Sequence, residues 1–186
     1  MINTHYLADK IPAALKNYAG LNIEYSYEPE ILDTGGGLKK ALPFFKNEPF
    51  FVLSGDGLWD DGPDETTLKQ MSAHWNPETM DILIALQPTH TMHLTQGVGD
   101  YDIDSEGRAL RAHDRNGAHM FTSMRIHHPR IFDNAPNEPF SYLKLLDEAQ
   151  NNKRLYGIIH DGAWHHISTP DDLTSVNAHY SDKESQ

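Results

Sequence analysis

Apolar positions along the chain fall into short blocks that alternate between helical spacing and strand-like runs. Ile11, Leu15 and Tyr18 recur at i, i+4 and i+7 behind Asp9, which predicts a capped helix with Pro12 in its first turn and Gly20 as its stop. Ile23, Tyr25 and Tyr27 alternate with Asn22, Glu24 and Ser26, the pattern of a half-buried strand. The continuous apolar run 49–53 predicts a strand covered on both faces, and 80–86 a second buried strand. Between them Asp64 is placed to cap a helix carrying Leu68, Met71 and Trp75 on one side. Segments 101–103 and 109–111 flank Ser105-Glu106-Gly107, a hairpin signature, and 121–126 reads as extended. A helix over 142–149, with Leu143, Leu146 and Ala149 on one stripe, precedes a strand at 155–159. Thr169-Pro170-Asp171-Asp172 is a helix start: a cap, Pro at the first position and acids in the first turn.

Strands alternating with helices define an α/β domain, expected as a three-layer sandwich with a mostly parallel mixed sheet and an antiparallel edge from the hairpin. Residues 1–180 read as a single domain and 181–186 as a polar, frayed tail. At 186 residues the chain is long enough for a core of its own, and with no Cys it has no disulfide framework, thiolate metal site or cysteine nucleophile. Fifteen Lys+Arg against 27 Asp+Glu give a net charge of −12, which argues against a nucleic-acid partner. A small phosphorylated substrate remains compatible, because a Mg²⁺ ion can carry positive charge locally. No apolar run approaches the ~20 residues of a membrane span, so a cytoplasmic protein without membrane contact is expected.

Chemistry concentrates at two places. Thr34-Gly35-Gly36-Gly37, read as lying just before a helix, is either a flexible turn or a surface on which a phosphate or flat ring approaches bare backbone. Lys39 and Lys40 follow on the helix and are expected to face solvent. Asp56 leaves the 49–53 strand in Ser54-Gly55-Asp56-Gly57, either a Mg²⁺ ligand at a strand end or a turn aspartate capping its own backbone. The twelve His include His90 and His93, the adjacent pair His127-His128 and the pair His165-His166. Adjacent His in a strand point to opposite faces, so each such pair offers one ligand per site and no zinc centre is expected. A phosphate-loop pattern, a nucleophile elbow and a dinucleotide fingerprint are all lacking.

The ordered set Asn3-Thr4-His5-Tyr6-Leu7-Ala8-Asp9, Leu32-Asp33-Thr34-Gly35-Gly36-Gly37, Ser54-Gly55-Asp56-Gly57-Leu58-Trp59, Gly99-Asp100-Tyr101, Phe140-Ser141, Arg154-Leu155-Tyr156-Gly157 and the segment from Gly162 to Pro170 covers nearly the whole chain. It resembles the sugar-phosphate nucleotidyltransferase family, nearest its N-acetylmuramate 1-phosphate uridylyltransferase-like and mannose-1-phosphate guanylyltransferase-like branch. The resemblance implies transfer from a nucleoside triphosphate, UTP by the branch match, to a sugar 1-phosphate, giving a nucleotide sugar of the cell-wall precursor kind. It implies Thr34, Gly35, Gly36 and Gly37 at the nucleotide base, Ser54 near its sugar, and Gly99, Thr122 and Ser123 at the sugar phosphate. Asp56 would hold the catalytic Mg²⁺. The family's second metal carboxylate falls at His166, within Trp164-His165-His166-Ile167-Ser168-Thr169, where an imidazole suits Mg²⁺ poorly.

The family also carries a first strand and a Gly-rich loop with an Arg and a Lys that grip the triphosphate, expected ahead of Asn3 and absent from these 186 residues. That strand lies in the family between those matching residues 1–6 and 50–53. The expectation is therefore an N-terminally incomplete domain, catalytically inactive alone, with an exposed sheet edge open to association. The competing readings are a noncatalytic remnant that binds a nucleotide sugar or a partner, and a histidine-rich metal buffer.

Overall fold

The computed structural model describes residues 1–184 apart from Ala19 and Gln96; of the expected tail, 185–186 lie outside the described residues. Helix and strand alternate as the sequence predicts, and the chain divides into two compact units. The first comprises Met1–Pro49 with Pro129–Glu148, and the second Phe50–His128 with the chain from Ala149 onward.

The first unit holds β1 (Ile2–Thr4), α1 (Lys10–Leu15), β2 (Tyr25–Tyr27) and α2 (Asp33–Ala41). β1 and β2 form a parallel pair with Asn3 opposite Ser26. The strand expected around Tyr25 is present with its phase inverted: Ser26 is 5 % exposed and Tyr27 56 %. Period-2 alternation identifies a strand but not its buried face, and here a polar network claims that face. Its centre is Glu28, buried, which accepts from Asn3 Nδ2 at 3.0 Å and from the Leu32 N–H at 3.0 Å. The stripe expected on the first helix stays uncovered: α1 has only six residues, none buried, and Asp9 makes no side-chain cap bond.

The second unit holds β3 (Phe50–Val52), β4 (Gly57–Asp60), α3 (Thr67–His74), β5 (Ile82–Pro88), β6 (Tyr101–Ile103), β7 (Ala109–Arg111) and β8 (His119–His127). After α4 (Leu143–Asn151), which continues from the first unit, come β9 (Leu155–Ile159), β10 (Ala163–His166) and α5 (Pro170–Glu184). The six-stranded sheet runs β7-β6-β8-β5-β9, with β3 also on β8. The sheet is mixed. β3, β5, β6 and β9 share one direction, but β8 is inserted between β3, β5 and β6 and runs against them, so most ladders are antiparallel rather than mostly parallel. β3 is half covered rather than doubly covered, since Phe50 is buried while Phe51 and Leu53 are exposed.

One face of this sheet supplies Leu83, Ala85, Met124, Ile126 and Ile158 to a core completed by Met71 of α3 and Trp164 of β10. Leu68, Trp75 and Trp59 pack against it, as the helical spacing around Met71 predicts. The cap of α3 is Thr66 rather than Asp64. Asp61 takes the Thr67 N–H at 2.9 Å and its hydroxyl at 3.0 Å, and the backbone bond from Thr67 is the main reason its carboxyl sits below the usual carboxylate range. The start of α5 is a reciprocal capping box. Asp172 N–H donates to Thr169 Oγ1 at 3.1 Å, and the Asp172 carboxylate accepts from the N–H groups of Ser168 and Thr169 at 3.0 and 2.8 Å. The helix continues through Glu184, so the segment expected to fray is helical as far as it is described.

Candidate active site

Two segments carry the residues singled out above, one in each unit. In the first unit, Thr34 and Gly35–Gly37 stand inside the first turn of α2 rather than ahead of it. Asp33 reaches φ +59° there, and its side chain accepts the Thr34 N–H at 2.5 Å. The Gly35 N–H donates to the Phe140 carbonyl at 3.0 Å, so both of these N–H groups already have acceptors within the chain. A Cβ on Gly35 would lie 2.4 Å from Phe140 Cε2, and one on Gly37 2.6 Å from Glu28 Oε1. Packing alone thus requires glycine at 35, where the Phe140 carbonyl oxygen also stands 2.7 Å away, while at 37 the obstacles are the ends of the Glu28 and Asn3 side chains. Gly36 presents its backbone half exposed, and Thr34 is exposed beside it. Lys40 is exposed, as expected, and Lys39 half-buried; Lys39 Nζ donates to the carbonyls of Ala135 and Pro136 and to Asn137 Oδ1, and Lys40 Nζ to the Tyr27 carbonyl.

In the second unit, β3 ends at Val52, and Ser54 and Asp56 lie in the turn that leads into β4. β4 pairs antiparallel with β10, and His166 faces Gly57 at the end of that ladder. One step further the Ile167 N–H donates to the Asp56 carbonyl at 2.8 Å, so Asp56 and His166 occupy neighbouring positions although 110 residues separate them. The His166 ring stacks on Trp164 with centroids 5.6 Å apart and planes 17° from parallel, and the His166 backbone N–H donates to Thr95 Oγ1 at 3.3 Å. Thr95 and the ladder itself went unseen in the sequence. A Cβ at Gly55 would meet nothing within 4 Å, so nothing inside the protein demands glycine beside the exposed Asp56.

The remaining candidates surround a bulge. Between the pairs Ile84–Arg125 and Leu86–Phe121 the register of β5 and β8 shifts, and β8 accommodates its extra residues with Ser123 at φ +65°. The Ser123 carbonyl accepts from Arg125 Nη1 at 2.7 Å. Thr122 is 2 % exposed, and its hydroxyl donates to the Ala85 carbonyl at 2.8 Å, closing the ladder across the bulge. Gly99 is buried against Gly117, where a Cβ would stand 1.9 Å from the Gly117 carbonyl oxygen.

This fold, an α/β domain on a mixed sheet, matches the structures of nucleotide-diphospho-sugar transferases. HddC from Yersinia pseudotuberculosis superposes with a TM-score of 0.74 at 18 % identity, over 96 % of this chain and 76 % of that one. At the level of sequence, the chain is 28 % identical over 177 residues to the N-acetylmuramate alpha-1-phosphate uridylyltransferase of Caulobacter vibrioides, covering 91 % of this chain and 72 % of the relative. It is also 28 % identical over 179 residues to the D-glycero-alpha-D-manno-heptose 1-phosphate guanylyltransferase of Aneurinibacillus thermoaerophilus, covering 92 % and 74 %. No family model matches the chain. Its curated homologues are sugar-phosphate nucleotidyltransferases, as the ordered motifs imply. Among the described residues no helix is long and apolar enough to cross a membrane.

Proposed function

We propose that this chain is a sugar-1-phosphate nucleotidyltransferase domain that uses UTP. A phosphate oxygen of the sugar 1-phosphate attacks the α-phosphorus in line. The new P–O bond forms as the α–β P–O bond breaks, and its electron pair leaves with pyrophosphate. A phosphate monoester has a second pKa of ~6, so it is mostly dianionic at neutral pH and needs no general base. The observation that carries the reading is that the exposed Asp56, in the turn before β4, and His166, at the end of β10, are brought to neighbouring backbone positions within a span homologous to nucleotidyltransferases.

Asp56 fits a Mg²⁺ ion, a hard cation that takes one or two carboxylates together with phosphate oxygens. His166 fits it less well, because a neutral imidazole favours borderline ions such as Mn²⁺. When bound, such an ion supplies charge neutralisation at the phosphates. The second unit's own part is to present Gly55 as bare backbone beside Asp56, with Ser54 next to it, and Ser123 for the sugar phosphate; taken by itself, the first unit offers Thr34 and Gly36 as its candidates for contact with a base. With Lys39 and Lys40 engaged by carbonyls, the 186 residues assayed alone are expected to bind a nucleotide sugar without turning substrates over.

Calorimetric titration with UDP- and GDP-sugars in Mg²⁺ or Mn²⁺, run beside a pyrophosphate-release assay, tests this. UDP-sugar binding that needs metal and vanishes in Asp56→Asn is the expected result, while preference for GDP-sugars replaces uridine by guanosine. Pyrophosphate release by the wild-type chain would establish the reaction and overturn the expected inactivity. Neither binding nor turnover would sink the proposal. A second variant, His166→Asp, restores a hard oxygen donor and should tighten the Mg²⁺ requirement relative to Mn²⁺.

A further inference from the structure

The β4–β10 ladder has a second face that the proposed reaction does not use. Across an antiparallel ladder, facing residues point the same way and alternate along each strand. Trp59, Trp164 and His166 share one side, where both tryptophans join the core. Asp60 and His165 therefore point to the other, and there α5 brings His179 and Tyr180. The His165 and His179 rings meet edge to face with centroids 5.5 Å apart, and Tyr180 stands 6.0 Å from His165. His179 Nε2 lies 4.0 Å from Asp60 Oδ2, too far for a hydrogen bond. One carboxylate oxygen of Asp60 and one ring nitrogen from each histidine all lie within 4.8 Å of one another.

We propose that Asp60, His165 and His179 form a site for a divalent transition-metal ion, best matched to Zn²⁺. Two imidazoles and one carboxylate are a donor set for borderline ions, whereas Mg²⁺ and Ca²⁺ call for oxygen alone. The spacing agrees with this. Around a tetrahedral ion with bonds of about 2.0–2.2 Å, donor atoms stand roughly 3.3–3.6 Å apart, which small side-chain rotations reach from the observed arrangement. His179 Nε2 is shielded from solvent without a hydrogen-bond partner, a costly state that a metal bond relieves. The Asp60 and His179 side chains are 31 % and 32 % exposed, which leaves an entry path and room for a water as fourth ligand. His165 is 5 % exposed and fixed on a strand, so the site has one rigid ligand and two adjustable ones. Its donors come from two strands and a helix, so an ion bound there fastens α5 to the ladder that also holds Asp56 and His166.

The test uses the untagged chain, stripped with chelator and then titrated with Zn²⁺ against a fluorescent competitor. One tightly bound equivalent is expected. His179→Ala and Asp60→Asn should weaken it by at least about 100-fold, beyond the loss typical of an outer-sphere partner. Asp56→Asn should leave it unchanged, which separates this ion from the one proposed at the reaction site. Co²⁺ should give visible d–d bands in the wild type that disappear in His179→Ala. His179→Cys, which supplies a replacement ligand, should restore tight binding and add a thiolate-to-cobalt band, so a folding defect in the alanine variant would not mask the answer. No tight equivalent, or one retained equally in His179→Ala and Asp60→Asn because other histidines hold the ion, overturns the proposal.

Discussion

Lowering the pH from 7 to 5 is expected to cost the second unit stability through His127. His127 is completely buried in the middle of the sheet, with Phe50 of β3 facing it on one side and Ile82 of β5 on the other. Its ring meets Phe50 edge-on with centroids 5.3 Å apart. Burial, and secondarily the guanidinium of Arg125, push its pKa well below the usual histidine value of 6.5. Above that pH the folded and unfolded chains both carry a neutral ring, and the shift has no effect. Below it the unfolded chain binds a proton that the folded chain refuses, so stability falls by up to about 1.4 kcal/mol per pH unit until the folded-state pKa is reached. His160, also depressed mainly by burial, adds a loss of the same sign over a narrower range. Asp61, with its pKa lowered in the fold, acts only at lower pH, as carboxylates protonate. All three tryptophans, Trp59, Trp75 and Trp164, lie in the second unit, so their fluorescence reports its unfolding. The urea midpoint should drop between pH 7 and 5, and His127→Gln should flatten that drop. A midpoint level across this range would refute the argument.

The elements that sequence pattern locates well are those specified by neighbours in the chain. The hairpin of β6 and β7 needs only its turn, β9 is an apolar run bounded by polar segments, and the start of α5 is written in four consecutive residues. What pattern misses depends on distant pairing. β4 and β10 mix Trp, His, Asp and Gly, carry no apolar periodicity of their own, and become strands only by pairing across more than a hundred residues. The same ladder explains the uneven legibility of the site. A lone aspartate at a strand end marks Asp56 without any partner. The reason His165 and His166 serve different faces is likewise visible from the chain, but the company each keeps, Asp60 and His179 or Trp164 and Thr95, is set by the fold. The glycines were legible as positions without Cβ. The reason for each was not, because a glycine pressed on Phe140 and one open to solvent read alike.

That distinction gives the second large effect, a paired substitution at Gly162 and Gly55. Gly162 sits where the β4–β10 ladder begins, its carbonyl accepting from Gln87 Nε2 at 3.3 Å. A Cβ there would stand 1.9 Å from the Asp60 carbonyl oxygen and 2.9 Å from the Asp61 carbonyl carbon. Those obstacles are backbone, with no rotamer to turn aside, so the strands must separate. Overpacking of a well-fitted interior costs about 1–3 kcal/mol, and a rigid backbone contact belongs at the upper end. For Gly162→Ala we expect a loss of about 3 kcal/mol, a fall in melting temperature of roughly 6–12 °C at this chain length. The displaced ladder should also loosen both sets of residues it carries, weakening Zn²⁺ binding at Asp60 and metal-dependent nucleotide-sugar binding at Asp56 together. Gly55→Ala should differ from it in stability and in Zn²⁺ binding. Its Cβ meets nothing within 4 Å, and its φ lies outside the left-handed region, so restricting the unfolded chain should leave the protein as stable or slightly more so. If the bare backbone at Gly55 exists for close approach of a nucleotide, this stable variant should nonetheless lose nucleotide-sugar affinity while keeping its Zn²⁺. Unchanged nucleotide-sugar affinity in Gly55→Ala would mean that the ligand does not approach the chain there, and the turn before β4 would then be only a turn.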